Sequence, residues 1–209
     1  MNKNSFEKIN LSITALQQGE MIILTDHPDR ENEADILFPA HLTTPEKITF
    51  LLKHCSGIIC LVLLPAHVQQ LQLPFMVQEH ENTSHNHLAS LVSIEAKQGV
   101  TTGISAADRS KTILTAVNPD ASPKDLVKPG HVFPLQAKSG GVLEREGHTE
   151  GSVDIVRLAG FHPSAVLCEL MNPDGTMMRG DSLKQFAIDH QLVTISIQDI
   201  IDYRLYHQV

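Results

Sequence analysis

Hydrophobic residues along the chain form short continuous runs that alternate with segments of helical spacing. The runs at residues 21–24, 57–64 and 165–170 are almost wholly apolar, and their length is typical of buried strands. Further strands are predicted at residues 91–94, 132–135 and 193–197. The spacing of Ile9, Leu11, Ile13 and Leu16 predicts a first helix over residues 6–18, which stops at Gly19.

Capping residues mark the starts of three further helices. In each, a Ser or Thr hydroxyl is positioned to accept a hydrogen bond from the first helical turn. These helices are predicted over residues 44–53, 105–116 and 149–158, with Thr44, Ser105 and Thr149 as caps. Helices are also predicted over residues 183–190 and from residue 198, while residues 82–89, 118–130 and 172–175 are predicted to be connections.

The alternation of strands and helices predicts an α/β (or α+β) fold. No internal repeat, low-complexity tract or long linker divides the chain, so we expect residues 1–209 to form a single domain.

The charge balance excludes several classes of partner. The 16 Lys and Arg residues against 24 Asp and Glu residues give a net charge of −8, so a nucleic-acid surface or an anionic-membrane surface is not expected. No apolar run reaches the length of a membrane span, and the polar start at residues 1–5 is unlike a signal peptide, so we expect a cytoplasmic protein. The three cysteines lack the spacing of a zinc site or a disulfide framework, and we expect buried thiols.

An acidic segment directly after the first strand is the strongest candidate for chemistry. Residues 29–35 contain four carboxylates and one guanidinium, and Glu31, Glu33 and Asp35 alternate so that an extended chain would put them on one side. Carboxylates brought together in this way repel each other unless a cation lies among them. The segment therefore suggests a site for a hard divalent cation, and the alternative is a rim of solvated acids.

A second polar segment, residues 145–150, opens the helix predicted at Thr149. Helix N-termini bind anions through their free N–H groups, and Arg145 is suited to clamp a phosphate. His148 is a candidate metal ligand or acid–base group, although a lone histidine of this kind is more often structural.

Three other positions combine polar chemistry with predicted element ends. His131 follows a Pro-Gly pair and enters an apolar strand, and Glu169 ends the strand at residues 165–170. Thr101 and Thr102 supply hydroxyls before the helix at residue 105, where they suit phosphate recognition or plain capping equally well. The alternative for Glu169 is an edge residue that faces water.

Taken together and in this order, the motifs resemble those of the 3,4-dihydroxy-2-butanone 4-phosphate synthases, a family of riboflavin biosynthesis. The resemblance covers residues 8–205 approximately, and as a set these motifs are highly specific. The matching segments are residues 29–33, 56–60, 99–109, 129–135, 140–143, 147–150, 158–160 and 166–169.

The resemblance implies a single-domain three-layer sandwich with a mixed β-sheet, working as a homodimer with active sites near the subunit interface. It implies a lyase that converts the sugar phosphate ribulose 5-phosphate to 3,4-dihydroxy-2-butanone 4-phosphate and formate, with two Mg²⁺ or Mn²⁺ ions per subunit. Because little chain follows Tyr206, the monofunctional form without a fused GTP cyclohydrolase domain is expected.

The resemblance also assigns roles to residues. It implies that Glu31 and His148 are metal ligands, and that His131 and Glu169 are essential for the chemistry. The proton transfers of such a reaction make Glu33, Asp35, His131 and Glu169 candidate acid–base partners. The residues that it implies for substrate binding are Arg30, Asp35, Thr102, Arg145, Glu146, Gly147 and Thr149.

The chain departs from the family pattern in three places. An extra residue and Pro28 interrupt the acidic run before Arg30, which removes one or two carboxylates, and Ala34 stands where the family has Gly. An Ala there would be strained if the backbone needed a positive φ. Residues 83–92 lack the Gly and the Phe-Thr pair of the family. These changes leave two alternatives open: a divergent paralogue that acts on another sugar phosphate, and a non-catalytic binding protein of the same fold.

Overall fold

The computed structural model describes residues 3–84 and 88–209, and within them a seven-stranded mixed sheet forms the centre of the molecule. The strand order is β4-β5-β3-β6-β2-β1-β7, with antiparallel pairs around β2 and β6 and parallel pairs β3–β5 and β1–β7. The strands are β1 (Ile22–Thr25), β2 (Ala34–Pro39), β3 (Cys60–Leu63), β4 (Ile94–Ala96), β5 (Leu126–Gln136), β6 (Ala165–Glu169) and β7 (Val193–Ser196).

Helices cover both faces of the sheet, which gives the three-layer α/β arrangement that was expected. The helices are α1 (Lys3–Gln17), α2 (Pro45–His54), α3 (Pro65–Gln70), α4 (Ala106–Ala116), α5 (His148–Leu158), α6 (Gly180–Asp189) and α7 (Ile197–His207). Buried residues of α2, α4 and α6 pack in one apolar cluster, and those of α1, α5 and α7 pack in another. Within the described ranges, no helix is long and apolar enough to cross a bilayer.

Alternation along the central strands explains the two clusters. In β2 and β6, Ile36 and Val166 belong to the cluster of α2 and α4, while Leu37 and Leu167 belong to the cluster of α5. Because both faces of these strands are covered, every residue of β2 is buried, and the strand reads as a continuous apolar run after Asp35.

Most predicted elements are confirmed, with shifted ends. Thr44 and Ser105 cap α2 and α4 by accepting hydrogen bonds from the backbone N–H groups of Lys47 and Asp108. The prediction that Thr149 caps its helix was wrong, because Gly147 is the N-cap and Thr149 lies buried in the first turn of α5.

The predicted connection at residues 118–130 was wrong at its end, because β5 begins at Leu126 and is eleven residues long. The strand predicted at residues 91–94 is instead β4 at residues 94–96. Leu91 forms one isolated bridge, with Phe75, and its backbone N–H donates to the carbonyl oxygen of Pro134 on β5. Sequence reasoning missed β2 and α3 entirely. The charges that precede β2 hid its short apolar run, and α3 has only six residues.

Candidate active site

A tight turn between β1 and β2 carries the acidic segment, and the buried carboxylate of Asp26 organises it. Asp26 Oδ2 accepts a 2.8 Å hydrogen bond from the backbone N–H of Glu31, and Oδ1 accepts one of 2.8 Å from that of Glu33. Arg30 Nη1 also donates to Asp26 Oδ2 over 3.0 Å. The side chain of Asp26 is fully buried, so these bonds replace its lost hydration.

The turn brings Arg30, Glu31 and His148 together. Arg30 Nη1 donates to Glu31 Oε2 over 2.6 Å, and the same oxygen lies 3.4 Å from His148 Nδ1 on α5. From the other side, Arg179 donates to the backbone carbonyl groups of Glu31 and Asn32. The convergence of Arg30 and Glu31 that a turn allows is therefore present, and Asn32 supports it with a left-handed φ of 54°.

Asp35 and Glu169 lie opposite each other in the register of β2 and β6, at the edge of the sheet that faces this turn. Asp35 is buried, whereas Glu169 is half-buried and its Oε2 accepts a 2.6 Å hydrogen bond from Ser56 Oγ. Asp35 Oδ1 is buried and has no hydrogen-bond partner among the described residues. Ser56 N also donates to the Glu169 carbonyl oxygen, which ties the residues before β3 to the end of β6.

Burial and mutual proximity change the pKa values of Asp35, Glu33 and His148. Burial raises the pKa of Asp35 to about 7, and the carboxylates of Glu169, Glu33 and Glu31 add to the rise while His148 opposes it. Burial also raises the pKa of Glu33, together with Glu31 and Glu169. For His148, burial alone would lower the pKa, but Asp35, Glu31 and Asp26 together raise it to about 9.

The residues of the cluster suit a hard divalent cation. Asp26, Glu31 and His148 each offer a ligand atom, and these atoms lie within 4.8 Å of one another. His148 Nε2 is buried without a hydrogen-bond partner in the part of the chain that the structure describes. Both oxygens of Asp26 accept hydrogen bonds within the turn, and Glu31 and His148 remain as candidate ligands. Although Pro28 interrupts the acidic run, Asp26 still contributes one buried carboxylate to the turn.

The N-terminus of α5 lies beside this cluster. Arg145 Nη1 donates to Glu150 Oε2 over 2.6 Å, and Glu150 Oε1 accepts a hydrogen bond from the backbone N–H of Lys138. A Cβ atom on Gly147 would overlap the ends of the Arg145 and Glu150 side chains, so this ion pair packs directly against the glycine. Thr149 is buried and Glu146 is exposed at the rim of a neighbouring cavity of about 510 Å³ that Arg30 also lines.

Two predicted residues, His131 and Thr102, lie outside this cluster. His131 is on β5, whereas Glu169 of the cluster is on β6, and because β3 lies between these strands the two backbones are separated by roughly 10 Å. The ring of His131 is turned towards β4, where its Nδ1 lies 2.7 Å from Glu95 Oε2. Thr102 is exposed in the turn before α4, next to Gly103, which contacts the same Glu95 carboxylate. One chain thus contains two separate clusters.

Of the departures from the family pattern, the one at Ala34 has a clear structural outcome. Ala34 is the first residue of β2 and does not have a positive φ. The backbone strain that an Ala would suffer at a positive φ therefore does not arise. Of the altered loop, residues 83–84 and 88–92 are described, while His85, Asn86 and His87 lie outside the described residues.

The three cysteines are free. Cys60 and Cys168 are buried as expected, whereas the prediction was wrong for Cys55, which is half-buried. A hydrogen bond from Cys55 to Cys168, together with burial, raises the pKa of the Cys55 thiol, so this thiol stays protonated at neutral pH.

Sequence reasoning missed Asp26, Ser56, Glu95 and Arg179. The sequence shows that Asp26 directly follows β1, but the fold of the turn determines that its side chain points into the protein. Ser56, Glu95 and Arg179 act through partners 113, 36 and 147 positions away, and no local pattern signals such contacts.

Comparison with known proteins gives one consistent family. Residues 10–203 match the family model of 3,4-dihydroxy-2-butanone 4-phosphate synthase. A synthase of that name from Chloroherpeton thalassium is 52% identical over 202 residues, which cover 97% of this chain and 88% of the relative. Its counterpart from Shewanella pealeana is 50% identical over 96% of this chain and 94% of its own.

Solved structures of the family have the same fold. A synthase in complex with two magnesium ions superposes with a TM-score of 0.88 at 39% identity, over 93% of this chain and 95% of that one. A two-domain synthase from A. baumannii gives a TM-score of 0.88 at 44% identity, and this chain, 94% of which is covered, spans 57% of that longer chain. The chain therefore belongs to the 3,4-dihydroxy-2-butanone 4-phosphate synthase family.

Proposed function

We propose that this chain is a metal-dependent lyase of riboflavin biosynthesis that converts ribulose 5-phosphate to 3,4-dihydroxy-2-butanone 4-phosphate and formate. The observation that carries the proposal is the meeting of Glu31 and His148 with the Asp35–Glu169 pair at one edge of the sheet. This arrangement combines a candidate metal site with two carboxylates of different environment, as proton abstraction beside a ketone requires.

In the proposal Glu31 and His148 hold Mg²⁺ or Mn²⁺, with two ions per subunit. The oxygen and imidazole ligands, the 4.8 Å limit on their separation and the unpartnered His148 Nε2 support a cation here. A solved structure of 39% identity is in complex with two magnesium ions, which supports Mg²⁺ as the cation. When bound, the metal supplies a Lewis acid for the negative charge that develops on substrate oxygens.

The protein's own groups then handle protons. With a pKa of about 7, Asp35 takes up or releases a proton close to neutral pH, which suits a general acid–base group as well as substrate binding. The hydroxyl of Ser56 orients Glu169 by a hydrogen bond. The charge of Glu33 interacts with those of Asp35 and Glu169. We propose Glu33, Glu169 and His131 as the acid–base residues.

The phosphate group of the substrate is proposed to bind at the N-terminus of α5. Backbone N–H groups there favour an anion, and the guanidinium of Arg145 lies close to Gly147 at this end of the helix. Arg30 adds a second positive charge at the mouth of the site, where its side chain is one-fifth exposed. The proposed substrate-binding set is Arg30, Asp35, Thr102, Arg145, Glu146, Gly147 and Thr149.

A homodimer is proposed because the two clusters of one chain lie apart. A second copy that brings its His131 and Thr102 to the metal cluster would complete the site. Exposed apolar side chains around β4 and β5 support an interface at that edge, since such groups are otherwise costly in water. They are Ile58, Phe75, Met76, Val77, Ile104 and Val127.

The remaining parts of the proposal concern context. We propose that residues 1–209 act as one domain, in the cytoplasm, where reducing conditions keep thiols such as the three of this chain free. The net charge of −8 supports a small-molecule enzyme without a nucleic-acid or membrane partner.

The test is formate release from ribulose 5-phosphate by the purified chain, with Mg²⁺ and with EDTA, followed by ¹³C NMR. Metal-dependent formate together with the four-carbon phosphate supports the proposal. A folded protein that gains thermal stability with Mg²⁺ but releases no formate contradicts it and favours a paralogue with another substrate. A protein that shows neither effect contradicts it and favours a binding protein.

A further inference from the structure

The strand that carries His131 is interrupted opposite Glu95. Ile94 pairs with Val132, whereas the next residue of β4, Glu95, pairs with Val127. Residues 128–131 therefore have no partner on β4 and leave the ladder as an excursion. This excursion is what lets the imidazole of His131 fold back onto the carboxylate of Glu95, with Nδ1 2.7 Å from Oε2.

The excursion is itself fixed at two points. Gly130 N donates a 3.1 Å hydrogen bond to Ser93 Oγ, and Lys128 Nζ donates to the carbonyl oxygen of Gln72 over 2.7 Å. A Cβ atom on Gly130 would overlap the backbone of Ile94, so the two strands approach closely at this point. The position of the His131 backbone is thus determined independently of its side chain.

The carboxylate of Glu95 is held from its other side by the turn before α4. Gly103, with a φ of +84°, lies so close that a Cβ atom would overlap the Glu95 carboxylate. Asp108 anchors this turn by accepting hydrogen bonds from Thr101 N, Thr101 Oγ1 and Gly103 N. The Glu95 side chain is only 13% exposed, whereas that of His131 is 42% exposed. The acid is therefore a fixed support and the imidazole is the part that reaches solvent.

We propose that Glu95 is a positioning residue that holds His131 in the tautomer with its proton on Nδ1. The hydrogen bond to Glu95 Oε2 requires that proton, which leaves Nε2 as the atom that accepts or donates a proton during catalysis. Among the described residues, no group is hydrogen bonded to Nε2. This inference rests on the proposed function through the role of His131.

Other charged groups near the pair do not compete for the imidazole. The charge of Arg109 acts on Glu95, but its Nε and Nη1 donate to the carbonyl oxygens of Ile104 and Gly57. Lys128, three positions before His131, is bound to Gln72. Glu95 is thus the one acid hydrogen bonded to His131 among the residues that the structure covers.

The test combines kinetics with a direct view of the imidazole. E95Q keeps the shape of the side chain, and we expect kcat to fall by roughly 10- to 100-fold, as for other residues that orient a functional histidine, with KM and the Mg²⁺-induced thermal shift unchanged. In the His131→Asn background the same substitution should have no further effect on kcat. D120N, which removes an exposed acid on the connection before β5, serves as the control and should match the wild type.

NMR of the ¹⁵N-histidine-labelled wild type tests the pair without any dependence on activity or on the folding of a variant. The His131 resonance, identified by its absence from His131→Asn, should show the proton on Nδ1. A proton on Nε2 at neutral pH, or an equal loss of kcat from E95Q in the His131→Asn background, would overturn the inference. If the wild type releases no formate, the proposed function fails, whereas the NMR result still decides whether Glu95 fixes the tautomer.

Discussion

Asp35 and Glu169 face each other across two antiparallel strands, yet they have different surroundings. Asp35 is buried and one of its oxygens lacks a described partner, while Glu169 is half-buried and bonded to Ser56. The pair therefore divides into an acid whose pKa is raised to about 7 and a carboxylate that a hydroxyl orients. Two neighbouring carboxylates of unequal environment are a common means of separating acid and base roles.

The first prediction concerns Ser56. In S56A the Glu169 carboxylate loses its 2.6 Å donor, and a hydrogen bond to a charged group contributes about 1.5–3 kcal/mol. We expect kcat to fall by roughly 10-fold or more with little change in KM. The control is S139A, at an exposed serine outside the site. Unchanged kcat in S56A would mean that the hydroxyl does not orient Glu169 during turnover.

The second prediction concerns Asp26, which we regard as the organiser of the turn. D26N places an amide where a carboxylate oxygen accepts a backbone N–H, so we expect a loss of about 1–3 kcal/mol in the free energy of unfolding. Weaker Mg²⁺ binding should accompany it, because Glu31 loses its support. Asp29 is exposed on the same turn, and D29N is the matched control. Calorimetry and chemical denaturation measure both effects, and equal behaviour of D26N and D29N would refute the role.

The third prediction is the pH dependence of stability without metal. Burial raises the folded-state pKa of Asp35 to about 7, so stability falls as pH rises from about 4 to 7. His148 has a folded-state pKa of about 9, which the acids raise against the effect of burial, so its contribution is complete below about pH 6.5 and is lost as pH rises through 9.

We therefore expect the protein in EDTA to be less stable at pH 9 than at pH 6, by on the order of 1–3 kcal/mol. H148Q should flatten the part of the curve between pH 7 and pH 9. Denaturant titrations across this range measure the slope. A wild-type stability that is level or rises towards pH 9 would show that the acids do not act on His148 in this way.

The fourth prediction concerns Ala34, where the family pattern has Gly. Because Ala34 begins β2 without a positive φ, A34G should lower the free energy of unfolding by about 1 kcal/mol through added backbone freedom. Ala165, equally buried in β6, gives the matched control A165G, for which a similar loss is expected. Stabilisation by A34G alone would indicate backbone strain at this position.

How much the sequence could predict depends on the range of the interactions. The capping residues Thr44 and Ser105 act within one helical turn, and both were correctly placed. Thr149 was misplaced, because Gly147 is the N-cap of α5 and no side-chain hydrogen bond caps this helix. The strand β2 was missed because charged residues precede its short apolar run and because Asp35, its only polar residue, is buried.

The residues of the site also differ in whether local motifs could predict their position. Glu31, Asp35, His148 and Glu169 were found through motifs, and the structure brings them together. The separation of His131 from this group could not be predicted, since it depends on the order of the strands, which places β3 between β5 and β6. The Pro129-Gly130 pair marks the excursion in β5 locally, but the contact of His131 with Glu95 joins residues 36 positions apart and has no local signature.

The most direct test of the account is the rate of Mg²⁺-dependent formate release from ribulose 5-phosphate by E31Q, beside D29N and the wild type. If Glu31 holds the cation, E31Q should lose more than about 100-fold in rate and the Mg²⁺-induced thermal shift, because removing a ligand costs more than removing its support. D29N should retain both. Metal-dependent formate release by E31Q at the wild-type rate would contradict the assignment of the metal site.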